Sequence, residues 1–148
     1  MKRLKLGLLL LACTAMTGIA NAAGIGYIDY VKVIENYDYA KKAIKEVDAK
    51  GLEMQQYLVD KEKEYKALDT PLKKQTFEQR TAQEFKTKEQ AYIALKTKRE
   101  QEVYNKIREA AKAVMVEHKL DAIMNQKDVF VGGLDITDMV INKLKMGK

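Results

Sequence analysis

The chain contains a single proline, Pro71, and it divides the longest run of helix-forming sequence in two. Proline lacks an N–H and clashes with the carbonyl four residues back, so it suits the first turn of a helix and not its interior. The break at Leu68-Asp69-Thr70-Pro71, with its turn near 69–72, therefore predicts a chain reversal between two long helices that together span residues 38–118. Before the break, positions 40, 44, 47, 51, 54, 58, 61, 65 and 68 follow 4-3 spacing and hold Ala, Ile, Val, Gly, Met, Leu, Lys, Tyr and Leu. That is a coiled-coil seam with defects at Gly51 and Lys61. After the break, Phe85, Tyr92, Val103, Ile107, Ala110 and Val114 form the answering seam, dense from Val103 onward and diluted by Lys, Thr and Glu nearer the turn. The expected architecture is mainly α with a small β part: a long antiparallel helical hairpin, firm at its base and loose at its tip. Gly51 is either a close-contact point or a hinge in this arm.

The two ends read differently. Lys2, Arg3 and Lys5 precede an apolar run from Leu6 to Ala12 and a small-residue site at Ala20-Asn21-Ala22, the pattern of a secretory leader over residues 1–22. An alternative is lipid attachment at Cys13, after Leu10-Leu11-Ala12. Ile25 to Tyr30 is β-branched and aromatic, as a strand requires, and Asp29 can cap a short helix over 31–37. Asp38 is a second cap, opening the arm. Leu120 to Met124 and Val129 to Val131 read as two more strands around a polar turn, and Asp135 opens a last helix with Val140, Ile141 and Leu144 inward. Residues 23–37 and 119–148 thus make a β-containing head. A head of about 45 residues cannot bury a sufficient core alone, so subunits are expected to share it. Ile25, Ile28, Ile123, Val129 and Val131 are its candidate oligomerisation residues.

Composition removes several functional classes. The sequence has no Ser, one His and one Cys, and that Cys lies within the leader. Ser/His and Cys/His nucleophilic catalysis, a His metal cluster and a disulfide framework are all outside its means, and no cofactor is expected. After residue 22 there are 24 basic and 21 acidic residues, and the excess gathers in the distal arm, where 61–99 carries eleven basic against six acidic. Nucleic acid is a poor partner for charges so interleaved. An anionic client or lipid fits better, with Lys73, Lys74 and Arg80 as the candidates.

The mature N-terminus, Ile25-Gly-Tyr-Ile-Asp-Tyr-Val-Lys-Val-Ile-Glu, resembles that of the Skp/OmpH-like periplasmic chaperones of outer-membrane proteins. So do the stretch Ile107 to Leu120 leading into Asp121-Ala-Ile-Met, and the C-terminal Leu134-Asp-Ile-Thr-Asp-Met-Val-Ile-Asn-Lys-Leu. The resemblance implies a homotrimer with a small central β-barrel, from which three helical arms hang around a cavity. It further implies an ATP-independent, periplasmic binder of unfolded outer-membrane proteins, with lipopolysaccharide contacts in the arms for which no residue is assigned.

Such a holdase needs adaptable apolar groups in dilute array. Met54, Tyr57, Tyr65, Phe77, Phe85 and Tyr92 supply them along the arm. Met54, Tyr65, Phe85 and Tyr92 also suit the seam itself, whereas Tyr57 and Phe77 lie off the strict spacing and are the stronger client-contact candidates. The competing function is a structural spacer or tether of the cell envelope, soluble or anchored through Cys13.

Overall fold

The computed structural model describes residues 24–147, so the leader reading and the alternative at Cys13 lie outside the described residues. The chain is mainly helical with one small sheet. Strand β1 (Gly24–Ile28) leads into helix α1 (Tyr30–Glu35), whose cap is Asp29: its carboxylate accepts from the Lys32 amide at 3.0 Å. Helix α2 (Asp38–Lys66) follows at once. Its cap position is Tyr37, so Asp38 stands inside the first turn, where a carboxylate favours the positive end of the helix dipole, and not at the cap. The turn falls where the proline placed it. Thr70 Oγ1 accepts from the Lys73 amide, and Pro71 opens helix α3 (Pro71–Glu117), whose fixed φ it suits.

After α3 the chain reverses through Lys119, at φ 52°, into strand β2 (Leu120–Asn125) and a single 3-10 turn, Gln126–Asp128. Strand β3 (Leu134–Asp135) and helix α4 (Thr137–Met146) complete the chain. The sheet order is β2-β1-β3, with both neighbours parallel to β1. Parallel pairing of β1 with β2 needs a long crossover, and here α1, α2 and α3 together are that crossover. A bulge between Gly24 and Ile25 absorbs one residue of β2. Gly26 faces inward, where a Cβ would stand 2.8 Å from Leu120 Cδ1, so a side chain there would require the Leu120 side chain to move aside.

Two expectations for this region change. Val129-Phe130-Val131 forms no strand: Phe130 is fully exposed, Val131 nearly so, and the third strand is Leu134–Asp135 instead. β-branched and aromatic residues favour pleated structure when a neighbouring strand packs against them, and this run has none among the described residues. Asp135 also sits one position further out than a cap. Its Oδ1 accepts from the Thr137 amide at 2.9 Å and from the Thr137 hydroxyl at 2.6 Å, while Thr137 Oγ1 accepts from the Asp29 amide. These bonds tie the start of α4 to the start of α1.

The core gathers Val33, Tyr37, Ala40, Ala43, Val103, Ile107, Ala110, Val114, Ile136, Val140, Ile141 and Leu144 into one cluster, with Ile28, Leu120 and Ile123 against it. It thus crosses from head to arm. The shortage of core expected for the head is met in large part by the base of the chain's own arm helices.

Along the arm, successive contacts step down α2 as they step up α3: Tyr39 with Glu102, Glu46 with Arg99, Tyr57 with Glu84, Tyr65 with Phe77. The seam on α2 differs from the expected one at two of its nine positions. Ala43 and Tyr57 take the places given to Ile44 and Leu58, which are 48% and 45% exposed. A heptad can be started with a step of three or of four, and apolarity alone favoured the larger aliphatics. The small Ala43 lets the helices close at the base, and Tyr57 has a polar end that finds a partner across the seam.

Gly51 is half-buried on this seam, and a Cβ there would meet only Tyr92 Cε2 at 3.7 Å, an ordinary contact. Gly51→Ala should therefore raise the unfolding free energy by up to about 1 kcal/mol through helix propensity. Urea denaturation followed by circular dichroism measures it, and a loss of stability would show that the helix needs glycine to bend at this point.

Candidate functional site

Chemistry collects at two levels of the arm. Near the base, Arg99 crosses from α3 to α2. Its Nε lies 2.8 Å from Glu46 Oε2, its Nη2 donates to Glu46 Oε1 at 2.9 Å, and its Nη1 donates to Glu102 Oε2 at 2.7 Å. The Tyr39 hydroxyl donates to the same Glu102 oxygen at 2.8 Å. The guanidinium, and after it Tyr39, hold the Glu102 carboxyl below its usual range, while Glu46 and then Glu102 raise the basicity of Arg99. A planar guanidinium that donates from Nη1 and Nη2 to two carboxylates makes this a firmer clamp than a lysine would give. Beside it opens a groove of about 520 Å³ whose lining includes Tyr30, Ile34, Ile44, Val47, Val103 and Tyr104.

In the distal half the seam is built from rings and cations. Phe77 is buried, with its centroid 6.1 Å from that of Tyr65. Lys61, read from the sequence as a defect in the seam, places its Nζ 5.6 Å from the ring centroids of both Tyr57 and Phe77 while also binding Glu64. Lys88 lies 4.9 Å over Tyr57, Lys74 5.3 Å over Tyr65 and Arg80 5.6 Å over Phe77. A cation over a ring face contributes about 0.5–1 kcal/mol at such exposed sites, so these contacts add to the cohesion of the seam where aliphatic burial is sparse. Tyr57 donates to Glu84 Oε2 at 2.8 Å.

These contacts relocate the two candidates that were set apart from the seam. Phe77 is covered inside it and Tyr57 is half-buried across it, because both rings turn toward the partner helix and its cations. Met54, Tyr65, Phe85 and Tyr92 are half-buried as well. The three anion candidates are already engaged locally: Lys73 with Asp69 at 2.9 Å, Lys74 over Tyr65, and Arg80 over Phe77 and 3.7 Å from Glu84. In the head, Ile28 and Ile123 lean on the chain's own core, Val129 is half-buried, and Ile25 and Val131 are exposed. Sequence reasoning missed the groove and Phe130. An aromatic beside a seam position, as Tyr104 is beside Val103, was the available signal for the groove.

Burial, then the hydrogen bond to Glu84, pushes the Tyr57 phenol up from 10.0 to about 12. The fold favours the neutral phenol, so its contribution to stability is full below pH 10.0 and is lost as the pH rises through about 12. A difference titration of phenolate absorbance against Tyr57→Phe should place this group's ionisation near 12. Glu84→Gln should lower it part of the way back; an ionisation at the ordinary value in the unmodified protein would mean that the cross-arm bond is not made in solution.

Comparison with known proteins places this architecture. A crystal structure of a candidate outer membrane chaperone (OmpH-like) from Caulobacter crescentus is similar at 13% identity, over 85% of this chain and 86% of that chain, with a TM-score of 0.43. Comparison with curated proteins gave no match. The model of the outer membrane protein (OmpH-like) family, by contrast, matches residues 24–144, from the first residue of β1 to the last buried leucine of α4. With head, arm and C-terminal helix all inside that match, this chain belongs to the OmpH-like family.

Proposed function

We propose that this protein is an ATP-independent periplasmic holdase that shields unfolded outer-membrane β-barrel proteins between helical arms. In this reading three copies assemble through their heads into a small barrel, each carrying one antiparallel arm. The observation that carries it is the exposed apolar array of the arm. Leu52, the adjacent pair Leu58 and Val59, Leu72 and Ile93 each leave about half or more of their surface to solvent, spaced along both helices with charged residues between the sites. Contacts of this kind are individually weak and hold a chain only in number, which retains a client without trapping it. Met54, Tyr57, Tyr65, Phe85 and Tyr92 add their open edges, and Phe77 joins them only where the seam parts.

The distal arm, with eleven basic and six acidic residues over 61–99, supplies long-range attraction for anionic client segments or lipid headgroups. Lys73, Lys74 and Arg80 take part through the field of the arm. Assembly is proposed to use the residues that the single chain leaves exposed, Ile25 and Val131, with the half-buried Val129 and the neighbouring Phe130. Ile28 and Ile123 are packed at home, so replacing them would perturb folding along with assembly.

Light scattering should give the mass of three chains, and the protein should suppress aggregation of an unfolded β-barrel membrane protein without nucleotide. In stopped-flow binding, raising the salt concentration should slow association markedly and change dissociation little, because exposed charges steer encounter more than they deepen affinity. Replacing Lys73, Lys74 and Arg80 together by Gln should mimic high salt. A folded monomer would overturn the assembly. Absence of suppression, with a salt-independent on-rate, would leave the arm as a spacer or tether.

A further inference from the structure

The arm joins two stretches of different cohesion, and the border between them is sharp. At the base, Ala40 and Ala43 of α2 share one buried cluster with Val103, Ile107, Ala110 and Val114 of α3. Among the described residues from 44 to 102, Phe77 is the one that is buried. The seam around it carries costs as well as contacts. Thr81 Oγ1 is buried with no hydrogen-bond partner among the described residues, and the half-buried Lys61 is drawn over the rings of Tyr57 and Phe77. A shallow space of about 290 Å³ remains beside them, lined in part by Leu58, Tyr65, Phe77 and Thr81. An orphaned hydroxyl and incomplete packing both reduce what closing the seam gains.

The Arg99 clamp stands at the border. Glu46 lies just outward of Ala43 and Arg99 just outward of Val103, so the guanidinium ties α2 to α3 where aliphatic burial ends. Tyr39 fastens Glu102 from the base side. A separation that starts at the turn breaks the Tyr65–Phe77 ring contact first and the Tyr57–Glu84 bond next. It then meets two charge-assisted hydrogen bonds and a close Nε contact, all centred on Arg99.

We propose that the arm opens along its seam from the turn inward as far as the Arg99 clamp, as a unit separate from the base, and that the opening uncovers Phe77 and Tyr65. The opening follows from the seam alone; its use, offering two further rings to a bound chain, rests on the holdase reading. The closed arm keeps those rings under Lys61, Lys74 and Arg80, and the opened arm adds apolar surface that a client stabilises by covering it.

Cys13 is the one cysteine of the sequence, so in a Cys13→Ser background a single introduced thiol reports its own exposure. Thr81→Cys places sulfur where Oγ1 is buried, and Ala43→Cys and Ala110→Cys place it in the base. Labelling by Ellman's reagent in native buffer, scaled to the rate in urea, should be about tenfold or more faster at Thr81→Cys than at either base position. Adding Phe77→Ala should speed the Thr81→Cys thiol about fivefold, adding Arg99→Met should speed the Ala43→Cys thiol to a similar degree, and neither should change Ala110→Cys. Equal rates at the three thiols, or an Ala43→Cys rate indifferent to Arg99→Met, overturn the opening. The client step has its own measurement. Tyr57→Cys/Glu84→Cys, bridged by a short bismaleimide, holds the seam shut and should bind an unfolded β-barrel protein about fivefold or more weakly than the same variant capped with N-ethylmaleimide. Equal affinity overturns the use of Phe77 and Tyr65 by clients. Absent aggregation suppression in the unmodified protein removes the holdase reading and that use with it, and the labelling rates then decide the opening by themselves.

Discussion

Burial of one face of α3, from Val103 through Ile107 and Ala110 to Val114, is what the rest of the structure depends on. Against that face lie α1 with Val33, α2 with Tyr37, Ala40 and Ala43, and α4 with Val140, Ile141 and Leu144, all in one cluster. Each large aliphatic covered there contributes about 1.5–3 kcal/mol before chain entropy is counted, and none of the three smaller helices could form its own core. The sheet then rests on the cluster through Ile28, Leu120 and Ile123. Because its two long-paired strands are separated in sequence by the whole arm, the head can close only when the arm base has formed.

Beyond that cluster the cohesion of the arm changes in kind. Aliphatic burial gives way to the Arg99 clamp and then to lysines and arginines laid over Tyr57, Tyr65 and Phe77. The change has a physical use. A seam of leucines exposed by any opening would be sticky, whereas a seam of rings already partnered by cations keeps a charged outer surface and re-forms without collapse. The same residues that look like seam defects when only apolarity is counted are what make a long, thin, solvent-bathed arm coherent.

What could be read from the chain follows how local each determinant is. Pro71, the Thr70 cap and the Asp29 cap act over three or four residues, and both boundaries lie where those residues require. The seam is legible at Ala40, Val47, Met54 and Lys61 but misassigned at Ile44 and Leu58, because choosing between Ala43 and Ile44 depends on how closely the partner helix approaches. The run at 129–131 reads as a strand and is none, because propensity describes what a segment can pair with, and no strand of the described sheet pairs with it. The groove escapes sequence reasoning for a related reason: Tyr30, Ile44 and Tyr104 are far apart in sequence and meet only after α1 has folded back on the arm.

On the proposed holdase reading, the spacing of apolar residues among charges along the arm bears on how a binder without an energy source lets go. Tight, uniform apolar contact would hold an unfolded chain well and release it poorly, since the whole bound surface would have to separate before the chain came free. An arm that spreads half-exposed leucines and valines among charges would keep each such contact near the scale of thermal fluctuation. Release then proceeds segment by segment, each step costing only one local contact. Multivalency of this type gives long retention with rapid local exchange, and it follows from the placement of charges as much as from the apolar residues themselves.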